Sequence, residues 1–214
     1  MKLYIAQATC SLAVQVIANE LGLEPELVHY DVFGKSTSAN DDFSQVNPLG
    51  YVPVLVLDDE AKSHLTETIV ITSYLADQHL GAGLIPQHGT LERVKFDQLL
   101  TFIATEIAQK HIPLMRKLQT EFGTQWTRDK LVTAYATLDA QLADGRAYLT
   151  GDKFTVADAY VWATLWHERS GAPITHLKNF FDYIARIEAR TSVKKALKDE
   201  AEMVAKHDAL KAAA

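Results

Sequence analysis

The single cysteine of the chain, Cys10, is the side chain whose surroundings point most directly to chemistry. It lies between the apolar segment Lys2–Ala6, which is typical of a strand, and the segment Leu12–Leu21, which has helical spacing and is followed by Gly22. Ser11 is a suitable N-cap, so the helix is expected to begin beside Cys10. The helix dipole and the free N–H groups there favour a thiolate, that of Cys10 or a bound one. A lone cysteine is also often a small buried apolar residue, so both interpretations stay open at this point.

Two further segments are expected to bring polar groups to the same end of a small α/β unit. Pro53 stands near the start of the apolar strand Tyr51–Leu57, where a missing N–H is tolerated. Thr66 is a suitable N-cap for the next helix, which places Glu67 and Thr68 in its first turn. Because loops and helix N-termini at one sheet edge form the usual ligand crevice of such units, the combination suits a peptide-like ligand with an amine, a carboxylate and a thiol. Taken singly, Pro53 fits a structural role and Glu67 a first-turn charge.

Composition narrows the class of protein. The 214 residues are 48% hydrophobic and 22% charged, which is ordinary for a globular protein with a substantial core. The formal net charge of −6, with dispersed basic residues, argues against nucleic acid as a partner. One cysteine excludes an intrachain disulfide framework and fits a reducing compartment. No apolar run has the length of a membrane span, so we expect a cytoplasmic protein that does not contact membranes.

The order of patterns predicts two domains. Residues 1–80 read as β-α-β-(α)-β-β-α, a small mixed unit whose later elements are the strand Leu27–Val32, a short helix Asp41–Val46, the strand Tyr51–Leu57, a return strand Lys62–Leu65 and a helix from Thr66 that Gly81 closes. Residues 81–89 are rich in Gly and Pro and are expected to form a linker. Residues 90–214 are predicted to be all-helical.

Helical periodicity continues through the second half of the chain. Pro113 predicts a kink in the first long helix, and Thr155 with Asp158 resembles a capping box at the start of an apolar helix. The predicted helices are Leu91–Leu118, Arg128–Leu142, the apolar helix that begins at Thr155, Leu177–Arg190 and Val193–Lys206. The tail Ala209–Ala214 is expected to fray.

Four of these segments resemble the motifs of cytosolic glutathione S-transferases, in particular the bacterial beta class. They are Cys10–Leu12, Asn47–Leu55, Leu65–Glu67 and Phe154–Tyr160, and the similarity extends over essentially the whole chain. The resemblance implies a thioredoxin-like N-terminal domain, an all-helical C-terminal domain and a homodimer. It also implies a transferase that joins glutathione, as co-substrate and without a metal or other cofactor, to a small electrophilic or hydrophobic substrate.

The resemblance implies roles for residues of the first domain. Pro53 would be cis, so that the backbone of Val52 contacts the cysteinyl part of glutathione. Glu67 and Thr68 would hold the γ-glutamyl amine and carboxylate. Lys35 would pair with the glycyl carboxylate, although a solvated loop lysine is an equally good interpretation.

At the sulfur, the resemblance places Cys10 beside the glutathione thiol, and Ser11 is expected to be a further donor to the thiolate. In the helical half Thr105 and Glu106 match positions that touch glutathione, with Glu106 reaching across the dimer. Asp158 would stabilise the fold and take no part in the chemistry.

One departure concerns the acceptor side of the site. The beta class has a histidine on the first long helix of its second domain, where this sequence has Ala108. His111, one turn onward, would either replace it or be a surface residue, and we expect the surface position. Trp166 and His167 would line the acceptor pocket or belong to the core.

Three functions follow from these residues. The first is a conjugating transferase in which the helix N-terminus, Cys10 and Ser11 lower the pKa of the glutathione thiol. The second is a glutathione-dependent thiol–disulfide oxidoreductase that acts through Cys10, by a monothiol route because no second cysteine is present. The third is a non-catalytic member of the family that binds glutathione or apolar ligands.

Overall fold

The computed structural model describes residues 1–213, and its internal contacts divide the chain into two units. One unit contains Met1–Ala82 together with Arg190–Ala214, and the other contains Gly83–Ala189. The last helix therefore groups with the first unit, whereas the sequence pattern assigns it to the helical domain. The physical reason is that this helix packs on a helix and a strand of the first unit, a contact between distant segments that periodicity does not report. The boundaries 1–80, 81–89 and 90–214 stay a prediction.

The first unit contains a five-stranded mixed sheet. Its strands are β1 (Lys2–Ile5), β2 (Glu26–Asp31), β3 (Ser36–Thr37), β4 (Val54–Val56) and β5 (His64–Leu65). The order is β3-β2-β1-β4-β5, in which β1 and β2 are parallel and the other pairs are antiparallel. The central strand β1 is almost continuously apolar because both of its faces are covered, as expected for an inner strand between layers of helices.

Four α-helices accompany this sheet. They are α1 (Ser11–Glu20), α2 (Phe43–Val46), α3 (Thr68–Asp77) and α10 (Thr191–Ala213), and a 3₁₀ turn, Leu80–Ala82, follows α3. Helix α1 packs against both α3 and α10, which explains why eight of its ten residues are buried. Helix α10 continues to Ala213, so the expected fraying from Ala209 is wrong as far as Ala213, and Ala214 lies outside the described residues.

Two predicted helix N-caps differ by one residue from those in the structure. Cys10 is the N-cap of α1, and Ser11 is its first residue instead of the predicted cap. Glu67 is the N-cap of α3, and Thr66 lies before it. In neither helix does the side chain of the N-cap residue form a capping hydrogen bond, which is why side-chain preferences alone misplace the boundary.

The second unit is helical. Its elements are α4 (Leu91–Phe102), a π-helical segment (Ile103–Ala108), α5 (Gln109–Met115), α6 (Glu121–Leu142), α7 (Val156–Ala163), α8 (His167–Ser170) and α9 (Lys178–Glu188). The predicted helix Leu91–Leu118 is thus interrupted by the π segment, and Pro113 lies inside α5. Helix α6 begins at Glu121, earlier than predicted, because the Thr120 hydroxyl accepts a hydrogen bond from the amide of Gly123.

Asp158 connects three parts of the second unit. Its fully buried carboxylate accepts hydrogen bonds from the Leu149 amide, from the amide and hydroxyl of Thr155, and from the Tyr183 hydroxyl. The capping box predicted at Thr155 and Asp158 is therefore confirmed. None of the helices within residues 1–213 is both long enough and apolar enough to cross a membrane.

Candidate functional site

Cys10 lies where three segments of the first unit meet. Its Sγ atom is 3.8 Å from the carbonyl oxygen of Val52, to which the thiol donates. The side chain of Thr68 is within hydrogen-bonding reach of the same sulfur, and the charge of Glu67 acts on it. The structure therefore brings together Cys10, Val52, Glu67 and Thr68, four of the residues that the resemblance assigns to glutathione binding. We refer to these four residues as the Cys10 cluster.

The Cys10 thiol itself is not a preformed thiolate. Burial raises its pKa, and the negative charge of Glu67 adds to this effect. Hydrogen bonds from Thr68 and from the backbone of Cys10 act in the opposite direction but do not overcome burial. Since the folded protein holds this pKa above the ordinary value of the thiol, Cys10 is protonated at neutral pH. Of the two alternatives left open by the sequence, a thiolate of Cys10 or a bound one, this direction of the pKa does not favour the first.

Local hydrogen bonds explain part of this result. The first-turn amides of α1 already have partners: Ser11 N–H donates to Thr9 Oγ1, Leu12 N–H to the Thr9 carbonyl, and Ala13 N–H to the Cys10 carbonyl. These amides are not free donors for a sulfur anion. The donors that do face the sulfur are the Cys10 backbone and the Thr68 side chain.

The peptide bond between Val52 and Pro53 is cis, as the resemblance implies. Pro53 is buried and immediately precedes β4, whereas Val52, one residue earlier, is partly exposed. The carbonyl of Val52 already contacts the Cys10 sulfur, so the backbone ahead of β4 belongs to the site.

Glu67 has an unusual backbone conformation, with φ +65° and ψ 119°. A non-glycine residue rarely adopts a positive φ, and such strain is concentrated at ligand sites because the surrounding structure has to impose it. Glu67 is exposed, and the ten-residue helix α3 starts directly after it without a side-chain cap from Glu67. The exposed Glu67 carboxylate, a helix start without a side-chain cap and the Cys10 sulfur are thus neighbours.

Two other predicted residues of the first unit are placed differently. Ser11 is fully buried, and its hydroxyl is 2.8 Å from Thr9 Oγ1 and 3.3 Å from both the amide nitrogen and the carbonyl oxygen of Ala6. These contacts hold the β1–α1 loop and do not favour the predicted role as a thiolate donor. Lys35 is exposed in the turn between β2 and β3, and no contact joins it to the Cys10 cluster in the described part of the chain. Both roles stay predictions.

Thr105 and Glu106 lie in the π-helical segment of the second unit. Glu106 forms an ion pair of 2.8 Å with Lys110, and a hydrogen bond from Lys110 lowers the pKa of this carboxyl. The Thr105 hydroxyl donates to the Thr101 carbonyl at 3.1 Å. A π-helical segment inside a helix is frequent at functional sites, which is consistent with the predicted contacts to glutathione but does not establish them.

His111 is fully buried, so the expectation of a surface histidine is wrong. Its Nδ1 is 2.8 Å from Ser170 Oγ and its Nε2 is 2.9 Å from the Tyr135 hydroxyl. Burial lowers its pKa to about 4, with the neighbouring His167 as a smaller cause, so the ring is neutral at pH 7. Trp166 packs edge-on against His111, with ring centroids 6.2 Å apart. His111 and Trp166 are thus in ring contact, with His111 the more buried of the two, whereas the ring of His167 packs edge-on against Phe181.

Sequence reasoning missed one residue that contacts the β1–α1 loop. Both carboxylate oxygens of Glu200, on α10, accept from the Ala8 amide, at 3.1 and 3.2 Å. The available signal was its position: Val193, Ala196 and Glu200 follow helical spacing on one buried face, so a carboxylate stands where an apolar residue is expected.

Both halves of the chain match known families. Residues 9–78 match the N-terminal domain family of glutathione S-transferases, and residues 92–167 match the C-terminal domain family. A glutathione S-transferase of Escherichia coli O157:H7 is 32% identical over 201 residues, which cover 94% of this chain and 98% of that protein.

Solved structures agree with these matches. A sphingomonad glutathione S-transferase in complex with glutathione has a TM-score of 0.86 and 34% identity, covering 94% of this chain and 99% of that one. The bacterial beta-class enzyme of Sphingomonas chungbukensis has a TM-score of 0.85 and 34% identity, covering 94% of this chain and 98% of that one. The thioredoxin-like sheet followed by helices, expected from the sequence, is confirmed.

Proposed function

Because the chain belongs to the glutathione S-transferase family, we propose that it conjugates the thiol of glutathione to small hydrophobic electrophiles. The observation that carries this proposal is the convergence at the Cys10 sulfur of the Val52 carbonyl, Thr68 and Glu67. These groups come from three separate segments, and each offers a different part of the chemistry that a γ-glutamyl tripeptide with a thiol requires.

Beside the thiol of bound glutathione, Cys10 would be a protonated, neutral thiol. A free thiol has a pKa of about 8.5, so a site that favours the thiolate increases the reactive fraction at neutral pH. The Thr68 side chain and the Cys10 backbone already favour negative charge at the Cys10 sulfur. A glutathione sulfur bound beside Cys10 would meet the same donors and the positive end of the α1 dipole. Each unit by which they lower its pKa corresponds to about 1.4 kcal/mol.

At the other end of glutathione, Glu67 and the start of α3 bind the γ-glutamyl group. The exposed Glu67 carboxylate would pair with the amine, and the N-terminus of α3 would bind the carboxylate through its amides and dipole. The backbone of Val52 would pair with the cysteinyl residue. Binding at both ends holds the sulfur in a fixed position, which is the main contribution that a transferase without covalent catalysis can make.

Thiol–disulfide exchange through Cys10 is the less favoured alternative. An attacking thiol reacts as its thiolate, and burial raises the pKa of Cys10. The protonated Cys10 is therefore a slow nucleophile at neutral pH but a suitable hydrogen-bond partner for a bound thiolate.

We also infer a homodimer that works in the cytoplasm. Leu49 and Tyr51 expose 72% and 58% of their surface in the first unit, and Leu91 exposes 63% in the second, which is consistent with a homodimer that covers such residues. A single partly exposed thiol fits the reducing cytoplasm. Light scattering on the purified protein tests the dimer.

Calorimetric titration with reduced glutathione tests the proposal first. We expect saturable binding with one site per subunit, weakened in Glu67→Ala and unchanged in Glu60→Ala, a matched exposed glutamate of the same unit. The second step measures the conjugation of glutathione to a chlorodinitrobenzene, with the absorbance of the conjugate giving the rate. Absence of binding at millimolar glutathione would refute the function, and binding without turnover on a panel of electrophiles would leave the non-catalytic alternative.

A further inference from the structure

The loop that precedes Cys10 is held by a side chain from the other end of the chain. Within the loop, Thr9 Oγ1 donates to the Ala6 carbonyl at 2.9 Å and lies 2.8 Å from Ser11 Oγ. The amide of Ala8 instead points to α10, where both carboxylate oxygens of Glu200 accept from it. We refer to Ala6–Ser11 as the Cys10 loop.

Ala8 is the residue of this loop that most needs support from outside. Its φ of +54° lies in the left-handed region, which is uncommon for a residue with a Cβ atom. A conformation of this kind persists only when the surroundings impose it. The contact with Glu200 is a hydrogen bond to a carboxylate, which is stronger than one between neutral groups. It therefore acts two residues before Cys10 at the point where the loop is most strained.

Glu200 is placed at a cost to stability. The residue is 6% exposed, and burial raises the pKa of its carboxyl. No lysine, arginine or histidine within residues 1–213 forms an ion pair with it, and the Ala8 amide is the partner that favours its charged form. Burying a carboxylate without a cation beside it destabilises the folded protein, so an apolar residue at this position of α10 would give a more stable fold.

Other contacts attach α10, and the residue before it, to α1. Arg190 forms an ion pair of 2.8 Å with Glu20, and Asn19 Nδ2 donates to the Ser192 carbonyl at 3.0 Å. Both lie at the far end of α1 from Cys10. Attachment of the helix and support of the Cys10 loop are thus carried by different residues, and mutations can separate them.

We propose that Glu200 is a positioning residue for the transferase reaction. Its carboxylate holds the Cys10 loop so that Cys10 and the start of α1 face the glutathione sulfur. This inference rests on the proposed function, but its structural part, the control of the Cys10 environment by Glu200, can be measured without turnover.

The test compares Glu200→Ala, Glu200→Gln and Asn19→Ala. A displacement of about 1 Å at a reacting group can lower a rate by ~100-fold. In Glu200→Ala the loop keeps its own internal hydrogen bonds and should move less than this, so we expect kcat for conjugation to fall about tenfold. The KM for glutathione should change little, because Glu67 and the start of α3 are untouched. Glu200→Gln should restore most of kcat, because its amide oxygen can accept from Ala8. Asn19→Ala removes an attachment of α10 and should lower the melting temperature while leaving kcat unchanged.

A second readout uses the only cysteine of the chain. The rate of Cys10 alkylation by iodoacetamide, followed against pH by mass spectrometry, should shift in Glu200→Ala and be unchanged in Asn19→Ala. A lower melting temperature in Glu200→Ala with unchanged kcat and alkylation would overturn the proposal, as would an equal loss of kcat in Asn19→Ala. If the parent protein lacks transferase activity, the proposed function fails, and the alkylation profiles still decide whether Glu200 controls the Cys10 loop.

Discussion

Replacing Asp158 by alanine is expected to lower the free energy of unfolding by about 4 kcal/mol. The Asp158 carboxylate is fully buried and accepts four hydrogen bonds of 2.7 to 3.0 Å. Each buried donor left without a partner costs about 1–3 kcal/mol, and relief from burying the carboxylate offsets part of that loss. A value of about 4 kcal/mol lies in the upper tail for single substitutions, and in a chain of this length it lowers the melting temperature by roughly 10 °C.

Urea and thermal unfolding of the parent, Asp158→Ala and Asp158→Asn measure this effect. Asn keeps one acceptor oxygen, so its loss should be smaller than that of Ala. Asp152→Ala, at an exposed position close by, is the matched control and should change stability by less than about 0.5 kcal/mol. At temperatures where Asp158→Ala is folded, kcat should equal that of the parent. A loss of stability below about 1 kcal/mol in Asp158→Ala would refute the reasoning, because the four hydrogen bonds could not then be important for the fold.

Three further predictions concern pH and the site. The pKa of His111 is about 4 in the folded protein and 6.5 in the unfolded chain, so the unfolded chain binds more protons between these two pH values. The free energy of unfolding should therefore fall by about 3 kcal/mol as the pH drops through that window, and in His111→Gln the urea midpoint should fall less. Cys10→Ala should lower kcat/KM for conjugation about fivefold, the value of one neutral hydrogen bond, and abolish any thiol–disulfide exchange; exchange that survives would contradict the assignment to Cys10. Glu67→Gly should raise stability by about 1 kcal/mol by relieving the positive φ, yet weaken glutathione binding in calorimetry; unchanged affinity would remove Glu67 from the site.

Local sequence was sufficient where a signal and its cause lie within a few residues. The capping box at Thr155 and Asp158 was visible as a pattern because both partners are in one turn. Boundaries were less predictable where no side chain forms the cap, as at Cys10 and Glu67, since backbone geometry then sets the first helical residue.

The sequence by itself determined the class of fold and which residues of the first unit would meet at a thiol. Cys10, Val52, Glu67 and Thr68 all stand at ends of strands or helices, and the order of these elements brings such ends to one edge of the sheet.

Only the tertiary structure decided how each group behaves there. The protonated state of Cys10 and the neutral, buried state of His111 follow from desolvation, which depends on every atom packed around them and not on their neighbours in sequence. The contact of Glu200 with Ala8 joins residues 192 positions apart. No periodicity encodes such a pair, because it exists only once α10 has packed against the first unit.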